Sequence, residues 1–158
     1  MKPQRSIYKR KSEGRTDYKK RLILLKSEKP RLVIRRSLNN ILVQIIEYMP
    51  DGDKVITSAN SSSLSKLGWK GHRGNLSSAY LTGLICGLKA KSKNIKEAVL
   101  DLGLRVSIKG SAQYAGLKGV LDAQIKIPHS NEVLPSMERI ESKEGFKETK
   151  ERILKEKW

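Results

Sequence analysis

The sequence predicts an α/β fold. A mixed sheet begins as an antiparallel three-strand meander and is packed with helices, with a basic N-terminal arm at one end and a charged C-terminal helix at the other. Three observations predict it. Three short β-rich runs follow one another with turn-length connections. A helix–strand–helix pattern comes next. Positive charge is crowded into the first forty residues.

The elements follow in order. Residues 1–16 are polar and basic, with Ile7 and Tyr8 as their apolar content. So little apolar surface cannot offset the entropy of ordering, so an extended arm is expected. Thr16 or Asp17 can cap a helix in which Tyr18, Leu22 and Leu25 recur at helical spacing, and Pro30 ends it. Arg31-Leu32-Val33-Ile34-Arg35-Arg36 is the first strand, and residues 37–40 read as a turn. Residues 41–48 form the second strand. Pro50-Asp51-Gly52-Asp53 is a strong turn signal before the third strand at residues 54–59.

Residues 61–74 read as a polar loop. A helix over 76–90 follows, capped by Asn75 or Ser77. Its Ala79, Gly83 and Gly87 lie four apart on one face, a pattern expected to bring the helix backbone close to the sheet. Residues 98–102 make a fourth strand, joined through that helix as in a crossover unit. Gly110-Ser111 leads into a helix over 112–123, and Pro128 and Pro135 bracket a loop. Near the end, Glu148/Arg152 and Glu151/Lys155 are helix-favouring pairs. Phe146, Ile153, Leu154 and Trp158 give that segment a thin apolar stripe.

The chain holds 33 Lys and Arg against 16 Asp and Glu, a net charge of +17. Residues 1–40 alone hold 14 against 3. Charge this one-sided needs a polyanion, so nucleic acid ranks above an anionic membrane surface. No segment is apolar enough to span a bilayer. Lone Cys86 cannot form an internal disulfide and lacks zinc partners. The N-terminus leads into charge rather than an apolar signal, so a soluble, cytosolic protein is expected. The organisation is then a basic arm (1–16), an α/β nucleic-acid-binding domain (17–135) and a charged helical segment (136–158).

The arm supplies Lys9, Arg10, Lys11, Arg15, Lys19, Lys20 and Arg21 as phosphate ligands, and Tyr8 and Tyr18 as platforms for unpaired bases. Arg31, Arg35 and Arg36 flank a strand, where they either extend the basic surface or protect a sheet edge. The loop Gly68-Trp69-Lys70-Gly71-His72-Arg73-Gly74-Asn75 offers cations before a helix N-terminus, with Trp69 itself expected to plug the core. Lys109 precedes the Gly110-Ser111 turn and joins the same candidate set. Asp101 and Asp122 could suggest a metal-dependent nuclease resembling ribonuclease H, but the first strand carries no acid. His72 and His129 lie far apart, and no phosphate-binding glycine motif is present. Catalysis is not expected, and neither is a metal or cofactor. A general basic RNA chaperone, indifferent to RNA identity, is a third reading.

An ordered set of motifs resembles a known family. It runs through Arg15-Thr16-Asp17-Tyr18, Arg21-Leu22, Leu24-Leu25-Lys26-Ser27 and Lys29-Pro30-Arg31-Leu32-Val33. It continues with Ser62-Ser63, Gly68-Trp69 and Ser78-Ala79-Tyr80-Leu81-Thr82-Gly83-Leu84. Ala98-Val99-Leu100-Asp101, Gly103-Leu104, Gly110-Ser111, Leu117-Lys118-Gly119, Asp122-Ala123 and Ile127-Pro128-His129 complete it. These resemble the universal 5S-RNA-binding large-subunit ribosomal proteins, number eighteen in the bacterial scheme and five in the eukaryotic, in their archaeal type. The resemblance implies an α/β sandwich docked on 5S rRNA in the central protuberance, with an N-terminal segment threading between RNA elements. It implies contacts with large-subunit rRNA and neighbouring 5S-binding and central-protuberance proteins, in a single copy rather than a homo-oligomer. The family's basic arm maps to Lys9 through Arg21, and its strand arginines to Arg31 and Arg35. The chain lacks the long acidic C-terminal extension of some members, so no tail contact carries over.

Overall fold

The computed structural model describes residues 7–158; Lys2 and Arg5 of the basic arm fall outside them. Two short helices lead, α1 (Lys9–Ser12) and α2 (Tyr18–Leu25). One helical turn therefore replaces part of the expected extended arm. Asp17 caps α2 by accepting from the Lys19 and Lys20 amides at 3.0 and 3.1 Å. The helix stops five residues before Pro30, and Glu28 beyond it adopts a left-handed φ of 54°.

The meander follows as β1 (Arg31–Arg36), β2 (Ile41–Glu47) and β3 (Lys54–Asn60). β1 pairs antiparallel with β2, and β2 with β3 across a register shift at Ile45/Ile46. The segment expected as a polar loop instead opens with a 3-10 helix, Ser61–Leu67. Asn60 caps it by accepting from the Ser62 amide, and Gly68 closes it at φ 89°. The serines that suggested a loop supply these local bonds. Ser63 Oγ donates to the Asn60 carbonyl at 2.7 Å, and buried Ser61 Oγ accepts from the Ile41 amide at 2.9 Å.

Next come α3 (Leu76–Ser92), the short β4 (Val99–Asp101) and α4 (Ala112–Asp122). β4 runs parallel to β1, giving the order β3-β2-β1-β4 and the expected mixed sheet. A second 3-10 turn (Asn131–Val133) precedes α5 (Met137–Glu141) and α6 (Phe146–Lys155). The C-terminal pair is not an appendage. Ile140, Phe146 and Ile153 are buried in the same core as the sheet, while Leu154 is exposed. Arg152 donates to the Leu67 carbonyl at 3.1 Å rather than pairing with Glu148. No described helix is long and apolar enough to cross a membrane.

α3 is the axis of the molecule. Every residue from Ser77 to Gly87 is buried, as befits a helix covered all round. Its Asn75 cap accepts from the Ser78 amide at 2.7 Å. It lies over β2 and β3, where Thr57 and Cys86 meet at 3.5 Å, while α4 lies over β1. Burial pushes the Cys86 thiol up to about 11, so it stays protonated in the core. Its spacing predicted that the small face of α3 would meet the sheet; it meets α4 instead. A Cβ on Gly83 would stand 2.0 Å from the Gly116 carbonyl oxygen, and one on Gly119 2.1 Å from that of Tyr80. Two backbones in direct contact leave room for hydrogen alone.

Gly83→Ala should therefore lower stability by about 1–3 kcal/mol in denaturant melts, although Ala is the better helix former by about 1 kcal/mol. A variant as stable as wild type would contradict the helix–helix contact.

Candidate nucleic-acid interface

The N-terminal helices and the sheet share a cleft, reached from β1 by Arg31 and Val33, which flank core Leu32. Arg10, Arg15, Lys20 and Arg21 line it from the arm side, and Arg31, Arg35, Asp53 and Asp101 from the sheet side. Cations distant in sequence thus meet in one place. α1 buries none of its residues, so Lys9, Arg10 and Lys11 are all exposed, as are Lys19 and Lys20 on α2. Arg10 is oriented by a 3.0 Å bond from its Nε to Thr16 Oγ1. Arg15 pairs with Glu13 at 3.1 Å on the open surface, where such a pair contributes little and yields readily to a phosphate.

Tyr8 and Tyr18 are not independent platforms. Their rings stack on each other, 5.2 Å apart and tilted by 37°. Tyr18 is half-buried, and Tyr8 is left on the outside.

Arg31 requires a correction. Spacing left it between RNA ligand and edge guard; the structure gives it no sheet edge to guard and takes up its guanidinium in ion pairs of the fold itself. It is 3% exposed, on an inner strand. Its Nη1 donates to Asp101 and its Nη2 to Asp53, each at 2.7 Å. Asp53 also accepts from Arg21 at 2.8 Å. One guanidinium thus ties β1 to β4 and to the β2–β3 turn, and Arg21 ties α2 to the same turn. Burial raises the Asp53 pKa, but bonds and charge from Arg21 and Arg31 outweigh it and hold the carboxyl below its ordinary value. Sequence reading saw Asp53 only as a turn former; nothing local marks it as a partner of residues 32 and 22 positions away. Arg35 and Arg36, where β1 emerges, are exposed as expected of phosphate ligands.

Lys70, His72 and Arg73 line a separate depression with Asn39 and Ser65. The cations Lys70 and Arg73 are exposed, while Trp69 is 4% exposed and plugs the core. A Cβ on Gly71 would stand 2.8 Å from the indole, so that glycine admits the ring. His72 Nδ1 accepts from the Gly74 amide at 3.0 Å, which fixes the loop. Lys109 pairs with Glu132 at 3.0 Å in full exposure. Sequence reading missed Arg105, whose Nη2 donates to the Arg36 carbonyl at 2.7 Å. Other cations serve the fold. Lys118 donates to the Pro135 carbonyl, and Lys150 sits 5.2 Å from the Tyr80 ring.

The two aspartates weighed as metal ligands each accept from protein donors. Asp101 takes Arg31 and the Gly103 amide, while Asp122 accepts from the Tyr80 hydroxyl at 2.5 Å. Among the described residues no cluster of three or more His, Cys, Asp or Glu is placed to hold a metal.

An α/β sandwich with long cationic side chains along one cleft and one edge is built to engage a polyanion. Known proteins narrow that class. A family model described as ribosomal large subunit proteins 60S L5 and 50S L18 matches residues 3–97. Large ribosomal subunit protein uL18 of Methanococcus maripaludis is 52% identical over 133 residues, which cover 84% of this chain and 69% of that protein. The chain belongs to this family of large-subunit ribosomal proteins, which work in the cytoplasmic ribosome.

Arg31→Met should lower stability by about 2–3 kcal/mol. That is less than breaking a fully buried pair, because Asp53 and Asp101 keep 26% and 17% exposure to water. The salt slope of RNA binding should not move; a reduced slope would return Arg31 to the phosphate ligands. The Asp53 carboxyl, depressed in the fold, stabilises above the ordinary carboxylate pKa, and that contribution fades as pH falls through the depressed value. The stability gap between wild type and Asp53→Asn should accordingly shrink in melts taken below about pH 4.

Proposed function

We propose that this chain binds 5S ribosomal RNA and helps attach it to the large-subunit RNA in the central protuberance, as a structural constituent rather than an enzyme. The observation that carries the reading is a pair of N-terminal helices that bury no residue of their own yet present Lys9, Arg10, Lys11, Lys19 and Lys20. Such an element gains its order from a polyanionic partner, not from a core. Arg15, Arg21 and Arg35 line the cleft beneath it and extend the phosphate track. Exposed Arg36 and Lys109, and the Lys70, His72 and Arg73 cluster, give further contacts suited to large-subunit RNA. Neighbouring 5S-binding and central-protuberance proteins are the protein partners, and the chain acts in single copy.

Competition binding tests the reading directly. 5S RNA should displace an unrelated structured RNA of equal length; equal competition would leave a general RNA chaperone instead. Deleting residues 1–15 should leave the melting transition in place. RNA affinity should fall, and the slope of log affinity against log salt should drop by about 0.7–0.9 for each phosphate no longer neutralised. An unchanged slope would remove the arm from the interface.

A further inference from the structure

We propose that the N-terminus of α4 is a seat for one RNA phosphate, with Ser111 and Gln113 as its polar side chains and Arg36 and Arg105 at its rim. The proposal rests on the RNA-binding reading and adds to it a site remote from the basic arm in sequence. Its starting point is a helix of 11 residues whose end is left unfinished. Ser111 stands at the N-cap in extended conformation, the residue type and geometry that close a helix start. Yet its hydroxyl makes no cap bond, and its Oγ is buried without a partner. No acid lies in the first turn.

The second observation is Gln113. It is 6% exposed, and its side-chain nitrogen is a buried donor with no acceptor. Buried donors are nearly always paired, so an orphan points to a partner that arrives from outside. Ser111 and Gln113 line one cleft together with Arg36 and Arg105. Neither arginine forms an ion pair among the described residues, and the bond from Arg105 to the Arg36 carbonyl holds the two together. A third guanidinium is close by, since Arg139 Nη1 lies 2.9 Å from the place a Cβ on Gly110 would occupy.

Charge decides the ligand. A helix N-terminus carries partial positive charge and repels cations. Here cations gather at one, which is favourable only when an anion sits among them. Free first-turn amides, a hydroxyl, a carboxamide N–H and guanidinium forks together form a donor set for phosphate oxygens. Lys109 is already engaged with Glu132 across the exposed surface.

The test uses the full chain, with 5S RNA and an unrelated structured RNA as probes. Ser111→Asp places a carboxylate where the phosphate would sit. It should hold or raise the melting temperature, because it caps the helix and complements its dipole. RNA affinity should fall about tenfold or more, as when one charge-assisted hydrogen bond is removed, and the salt slope should shrink by about 0.7–0.9. Gln113→Leu removes the orphan donor, so the melt should stay or rise while RNA affinity falls. A fall in affinity at unchanged stability separates a phosphate seat from a structural role. Wild-type affinity and slope in a folded Ser111→Asp would overturn the proposal and leave the site to an acidic protein partner. If both RNAs bind alike in wild type and Ser111→Asp weakens both, the phosphate seat stands and the 5S reading falls.

Discussion

The contact between α3 and α4 is the constraint from which the rest of the architecture follows. Where Gly83 faces Gly116, and Gly119 faces Tyr80, the two backbones touch with no side chain between them. Each interior glycine costs about 1 kcal/mol of helix propensity, so close packing must return more than that. The approach lets both helices share one side of a four-stranded sheet, α3 over β2 and β3 and α4 over β1. It also places the Tyr80 hydroxyl on Asp122 and brings Gly116 against Ile34 of β1. With one side of the sheet filled this way, the opposite side is left for the basic N-terminal segment.

What the sequence made legible was local chemistry. Strand runs, the Pro50–Asp53 turn and the Asp17 and Asn75 caps depend on neighbours a few residues away, and each sits where its residue types place it. The serines of the 3-10 helix misled because the same hydroxyls suit a loop or a tight helical turn. The glycine face was visible, but its partner was not, since period alone does not say whether a sheet or a helix lies opposite. The partners of Arg31 were hidden for the same reason. Its carboxylates stand 22 and 70 residues away, and no short-range pattern carries that information.

Arginine does two jobs in this chain, and burial sorts them. Arg31 is enclosed and doubly paired, so it closes a sheet and a turn around a charge that cannot be left alone. Arg35 and Arg36, further along the same strand, emerge into solvent. Arg21 stands between the two cases. It is partly exposed, lines the cleft and shares Asp53 with Arg31, so the segment that carries the outermost cations is fastened to the segment that carries the innermost one.

The fastening of the arm is slight. α1 and α2 bury no residue, and beyond the Arg21–Asp53 pair their described bonds are local ones such as Asp17 to the Lys19 and Lys20 amides. The backbone hydrogen bonds of such a segment open far more easily than those of α3. The segment is also rich in lysine and arginine, the residues after which trypsin-like proteases cut. On the RNA-binding reading proposed above, a copy without RNA offers a cleavable tag ahead of β1 and a bound copy hides it. Turnover of surplus protein would then be selective without any dedicated signal, since one segment both meets the partner and is reached first by a protease.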